Sequence, residues 1–211
     1  MMLPTHALGG MALALPLLVV APEFAPLALG AGLVGGIFPD LDMYAGHRKT
    51  LHFPVYYSVL AVLAIGVAVL VPTGVTVAVA VFLLAAALHC ATDVLGSGLE
   101  LRPWEGTSDR AVYDHYRRTW IPPRRLVRYD GSPADLMLSV TLALPLLYTL
   151  EGVFQWLVFS TVAVAAVYTA LRRRLADLAA VVARRIPTGV QPYVPNRYLE
   201  DLESETRTTR R

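Results

Sequence analysis

Residues 75–96 read VTVAVAVFLLAAALHCATDVLG, an apolar run that ends by carrying a histidine and an aspartate, His89 and Asp93. A bilayer's hydrocarbon core takes about 20 residues of helix, so this run is long enough to cross one. Ionisable side chains are expensive at that depth and are kept where they are used. His89 and Asp93 stand four apart, hence on one helix face, and can bind a single ion together. The plainer alternative is a buried hydrogen bond that joins helices. Cys90 points about 100° away from His89 and reads as packing. The stretch sets the fold class: an all-α, integral-membrane helical bundle.

The rest of the chain agrees. Its 211 residues are 55% hydrophobic with mean hydropathy +0.53, more apolar than an ordinary soluble domain. Cys90 is the only cysteine, which excludes an internal disulfide. Further apolar segments run over residues 53–71, 133–151 and 153–171, with two shorter pieces at 7–21 and 26–38. A 15-residue helix rises only about 22 Å, so the short pieces are either spans of a thinned bilayer or a re-entrant hairpin. About six transmembrane or re-entrant helices result. Gly30, Gly32, Gly35 and Gly36 let the second piece approach its neighbours closely. The N-terminus lacks a basic region and a small-x-small cleavage site, so it reads as retained.

Charge orients the bundle. Seventeen of the eighteen basic residues are arginine. Arg48 and Lys49 lie between residues 40 and 52; seven arginines lie between 97 and 132, and nine follow Leu171. The opposite loops, near Glu23, Pro72 and Glu151, hold no lysine or arginine. The positive-inside rule places the chain in the cell membrane, multi-pass, with both termini cytoplasmic. Residues 1–171 then form a membrane-embedded metal-site domain with an arginine-rich cytoplasmic loop at 97–132. Residues 172–186 read as the last apolar helix continuing as a basic amphipathic helix along the inner leaflet, with Leu171, Leu175, Leu178 and Val182 on one face. Residues 187–211 read as a mobile tail.

On that topology the site candidates share one side. His6 opens the first helix, Asp40 and Asp42 follow Pro39 at the end of the second, His47 and His52 precede the third, and His89 and Asp93 close the fourth. Imidazole with carboxylate suits a divalent metal of the zinc or manganese kind. If the chain after Pro39 is extended, Asp40 and Asp42 face the same way and can chelate or bridge. Aspartate is also common where helices end, and His6, His47 and His52 taken singly could be interfacial. His115 reads as a surface residue. Arginine forks match phosphate oxygens, so the 97–132 loop suits an anionic phosphoester; anionic lipid headgroups are the alternative guest. Nothing in the sequence is specific for nucleic acid, and oligomeric state is left open.

Thr5-His6 with following glycines, Phe38-Pro39-Asp40-Leu41-Asp42, His47-Arg48 with His52, and His89-x-x-x-Asp93 with Gly96 occur in order. Over residues 1–105 this set resembles the membrane-bound metal-dependent hydrolase family, whose bacterial members are described as LexA-binding and inner-membrane-associated; the 101–133 stretch looks like its archaeal branch. The resemblance implies a helical membrane protein with a divalent metal and hydrolytic activity, distantly similar to zinc phospholipase C and P1-type nucleases. Those enzymes carry two His-x-x-x-Asp pairs and this chain one, which argues against a three-metal cluster.

The expected function is a cytoplasm-facing metallohydrolase of phosphoesters. His6, Asp40, His52, His89 and Asp93 hold one or two ions, with Asp42 and His47 as additional ligands or supports. Asp42 or Asp93 serves as general base, and Arg102 or Arg110 clamps the substrate. The alternative is a non-catalytic, metal-stabilised membrane scaffold that binds anionic partners. A metal carrier is a third reading, but a through-path lacks acidic residues at mid-depth.

Overall fold

A computed structural model describes residues 1–187, 189–190, 194 and 198; the remainder of the expected tail lies outside the described residues. The chain is mostly helical. In order come α1 (Leu3–Ala12), the short α2 (Leu17–Val20), α3 (Ala25–Ile37), a 3₁₀ helix (Phe38–Tyr44), α4 (Pro54–Leu70), α5 (Gly74–Leu95), strands β1 (Val112–Asp114) and β2 (Thr119–Ile121), α6 (Pro133–Thr149) and α7 (Gly152–Ala183).

Local chemistry sets these limits. Pro4, Pro26 and Pro54 sit in the first turns of α1, α3 and α4, where a missing N–H costs nothing. Ser132 Oγ accepts from Asp135 N at 3.2 Å and caps α6. Thr73 and Thr76 cap α5 reciprocally.

α1 is central. Every residue from Pro4 to Met11 is buried, against α3, α5, α6 and α7. Its Leu8 and Met11 form the core with Leu29, Val81, Leu146 and Val158. The apolar outer faces of α4 and α7 are exposed, at Val62, Leu63, Val69, Trp156 and Val167. Three stretches are long and apolar enough to cross a membrane, Leu3–Val20, Gly74–Leu95 and Gly152–Ala183. Pro54–Leu70 and Pro133–Thr149 are shorter apolar helices.

One feature departs from the expected layout. The 97–132 loop carries a small antiparallel hairpin pairing Tyr113 with Trp120, so the fold is not purely helical. Tyr113 N donates to Arg48 O at 2.9 Å, which holds the hairpin over the loop after the 3₁₀ helix. At the C-terminal side, α7 runs unbroken through residues 171–172, so the last apolar segment and the basic helix are one element. Its Ala176 and Ala180 pack on Leu101, while Leu171, Leu175, Leu178 and Val182 face outward.

Candidate metal centre

Four side chains from three elements converge at one end of the bundle. Asp40 comes from the 3₁₀ helix, His52 from the loop before α4, and His89 and Asp93 from the last turns of α5. Their ligand atoms all lie within 4.8 Å of one another. His52 Nε2 is 3.2 Å from His89 Nε2, 3.8 Å from Asp40 Oδ1 and 3.4 Å from Asp93 Oδ2. His89 Nε2 is 3.4 Å from each of the same two carboxylate oxygens. His52, His89 and Asp93 are buried; Asp40 is partly open.

The donor set tests well against a divalent ion. His52 Nδ1–H donates to Asp42 Oδ2 at 3.0 Å, and His89 Nδ1–H to the Gly36 carbonyl at 2.7 Å. Each neutral ring has one N–H, so both Nε2 lone pairs point at one another across 3.2 Å. Two facing lone pairs repel unless a cation or proton lies between them. Asp93 Oδ2 is a buried carboxylate oxygen with no hydrogen-bond donor among the described residues; Arg48 Nε, 3.3 Å away, offers it charge without a hydrogen bond, so a metal bond there would satisfy it. A tetrahedral ion with bonds of about 2.0–2.1 Å has ligand atoms about 3.3 Å apart. The measured separations bracket that value.

The supporting residues explain why the ligands hold still. Asp42 stands behind the cluster. Its Oδ2 accepts from His52 Nδ1 and Leu51 N, and its Oδ1 from Arg48 N (3.2 Å) and His47 Nδ1 (3.1 Å). Burial acts to raise the Asp42 carboxyl, but the hydrogen bonds from His47 and His52 outweigh it and hold it below the usual carboxylate range. Burial likewise opposes the Asp40 charge, and His89 overcomes it. The expectation that both carboxylates face one way assumed an extended chain. The segment is a 3₁₀ helix, in which residues two apart turn about 120° from each other; Asp40 therefore faces His89 while Asp42 faces the far nitrogen of His52.

The remaining candidates fall into place around this core. His6 stacks on His89 with ring centroids 3.7 Å apart, and its Nε2 is 3.1 Å from Asp93 Oδ1, the oxygen that also meets the Met1 amine at 2.6 Å. His47 stands at the rim, 3.9 Å from Asp40. His115 Nε2 donates to Lys49 O, away from the cluster.

Arg102 lies 3.8 Å from Asp177, and the Arg110 guanidinium sits 5.9 Å from the Trp120 ring centroid. Neither lines the cavity beside the cluster; Arg48 and Arg172 do. Arg48 was not among the expected site residues. Its Nε is 3.3 Å from Asp93 Oδ2, its Nη1 donates to Ser97 O at 2.7 Å, and its backbone takes φ +58°. Burial works against its charge, yet Asp93 and Asp40 raise its pKa above the ordinary value. The sequence signal was its place beside His47 in the quoted motif, where it read as loop charge.

The cavity encloses about 520 Å³ and reaches the cluster at Asp40, within the usual range for a small-molecule site. Compared with protein-family models, curated proteins and solved structures, the chain matches none.

Proposed function

We propose that the chain is a membrane-embedded, metal-dependent hydrolase of phosphoesters whose site faces the cytoplasm. The observation that carries this reading is the convergence of Asp40, His52, His89 and Asp93 beside a cavity that touches only Asp40 among them. His52, His89 and Asp93 supply the three protein ligands that a catalytic zinc site keeps. A divalent ion bound there would lower the pKa of water and offset charge on phosphoryl oxygens. Asp40 is then the carboxylate on the cavity side, placed to take the proton of the attacking water. Asp42 and the Gly36 carbonyl fix the two rings, and Arg48 balances Asp93 and offers positive charge to an anionic ester.

One observation favours the alternative. With Asp40 also bound, the ion has four protein ligands, the closed number of a structural site. The chain is then a metal-stabilised membrane scaffold for anionic partners.

Asp40→Asn separates the two. In the hydrolase, purified protein carrying this change keeps most of its zinc or manganese, while chelator-sensitive cleavage of an activated phosphodiester falls about 10²-fold or more. Loss of the metal itself assigns Asp40 to a closed site. No chelator-sensitive turnover by the native chain on phosphoesters, carboxylic esters or amides, above the His89→Ala background, sinks the hydrolase reading.

A further inference from the structure

The cavity beside the cluster is two-faced along its length. Its floor is α1, at Leu3, Pro4 and Ala7; one wall is α3, at Leu33 and Ile37; the other is α7, at Leu157, Ser160, Thr161, Val164 and Tyr168. These α7 positions recur every three or four residues and form one stripe. From Leu157 to Arg172 the stripe rises about 22 Å. Its α1 floor and α7 wall lie within Leu3–Val20 and Gly152–Ala183, two of the stretches able to cross a membrane. Val164 is 59% exposed while lining the cavity, so the groove opens sideways, where hydrocarbon would lie.

The other end is polar. Asp40, His47, Arg48, Glu100, Asp130 and Arg172 line it. Arg172 Nε donates to Asp130 Oδ2 at 2.9 Å, and Arg48 is tied to Asp93. Burial pushes the Glu100 carboxyl up, toward its neutral form. The carboxylates roughly cancel the two guanidinium groups, so an anion is welcome only once a divalent cation occupies the cluster. A free phosphate would use this end alone and leave the apolar stripe without a partner. A groove of about 520 Å³ that is apolar along α1, α3 and α7 and ends at a candidate cation site fits one chain of an amphiphile.

We propose that this groove binds one hydrocarbon chain of an anionic membrane phospholipid and presents its phosphoester head group to the metal cluster. The inference rests on the hydrolase reading for what happens next, but binding can be tested without turnover. Full-length, zinc-loaded protein in detergent micelles is irradiated with phosphatidylglycerol bearing a diazirine in one acyl chain, and labelled peptides are mapped by mass spectrometry. Labels should concentrate on the peptides containing Leu33, Ile37 and Val164. Ser160→Trp, which fills the groove, should lower that labelling about tenfold, the equivalent of 1.4 kcal/mol. Ala166→Trp, at an exposed position about 120° round α7 from Ser160 that the cavity does not touch, should not. Chelator should reduce phosphatidylglycerol labelling to the level of a diacylglycerol with the same diazirine.

Labels spread evenly over the outward faces of α4 and α7 would overturn the groove, since any membrane-exposed helix gives that pattern. Equal labelling by the zinc-loaded protein with diacylglycerol would overturn the head-group assignment. In the hydrolase, Ser160→Trp should also cut turnover of phosphatidylglycerol relative to water-soluble bis(4-nitrophenyl) phosphate about tenfold. An unchanged ratio overturns the lipid preference and leaves the hydrolase standing. Groove labelling without turnover of either substrate supports the binding inference and rejects hydrolysis.

Discussion

At the scale of single residues, the centre is an exercise in directing lone pairs. Asp42 and the Gly36 carbonyl each take the Nδ1–H of one histidine, and the two Nε2 atoms have nowhere to point except the cluster. Outer hydrogen-bond partners of this kind typically contribute 10–100-fold to metal affinity. Asp42→Asn should therefore weaken zinc binding by about that factor, read by competition with a chromophoric chelator, whereas His115→Ala should leave it unchanged. Native affinity in Asp42→Asn would remove its orienting role. The His89–Asp93 pair was legible because helical spacing fixes which residues share a face. The division of labour between Asp40 and Asp42 was not. Extended and 3₁₀ backbones aim residues two apart in different directions, and Pro39 permits either. The role of Arg48 was not legible either, because it depends on a left-handed backbone and a contact to Asp93, both set by tertiary structure.

At the scale of elements, glycine decides how closely α1, α3 and α5 approach. A Cβ on Gly36 would meet His6 O at 2.3 Å, one on Gly10 would meet Gly32 O at 2.0 Å, and one on Gly35 would meet Phe82 O at 2.3 Å. Those contacts bring the His6 ring, the Gly36 carbonyl and His89 together. Gly30, in the same helix, faces open space. Overpacking a tight contact costs about 1–3 kcal/mol, and at Gly36 the shift also displaces the His89 acceptor. Gly36→Ala should lower both thermal stability and metal retention, and Gly30→Ala neither; equal behaviour of the two in a melting and metal-content series would refute this. The apolar runs were legible from length alone, since hydrocarbon thickness sets a minimum. The hairpin was not, because three-residue strands are too short to show a period-two pattern.

At the scale of the whole molecule, one end of the bundle gathers both the cluster and the arginine-rich 97–132 loop. Asp40, His52 and the last turn of α5 meet there, and the 97–132 loop folds over them through Tyr113 N to Arg48 O and Arg124 N to Val94 O. The loops that join α2 to α3, α4 to α5 and α6 to α7 lie at the other ends of these helices and hold no lysine or arginine. Under the positive-inside rule the arginine-bearing end would be the cytoplasmic one, the orientation proposed for the site. The membrane can check it directly, because Cys90 is the sole cysteine and is buried, so the native chain gives little background to a thiol reagent. Arg117 and Glu151 are both exposed and belong to the two opposite faces. Arg117→Cys should react with a membrane-impermeant maleimide in inverted vesicles and not in intact cells, and Glu151→Cys should show the reverse. The opposite pattern would turn the cluster toward the outside. The metal, the anionic ester and any lipid head group would then be drawn from the outer compartment, and the cytoplasmic assignment of the site would fall with the orientation.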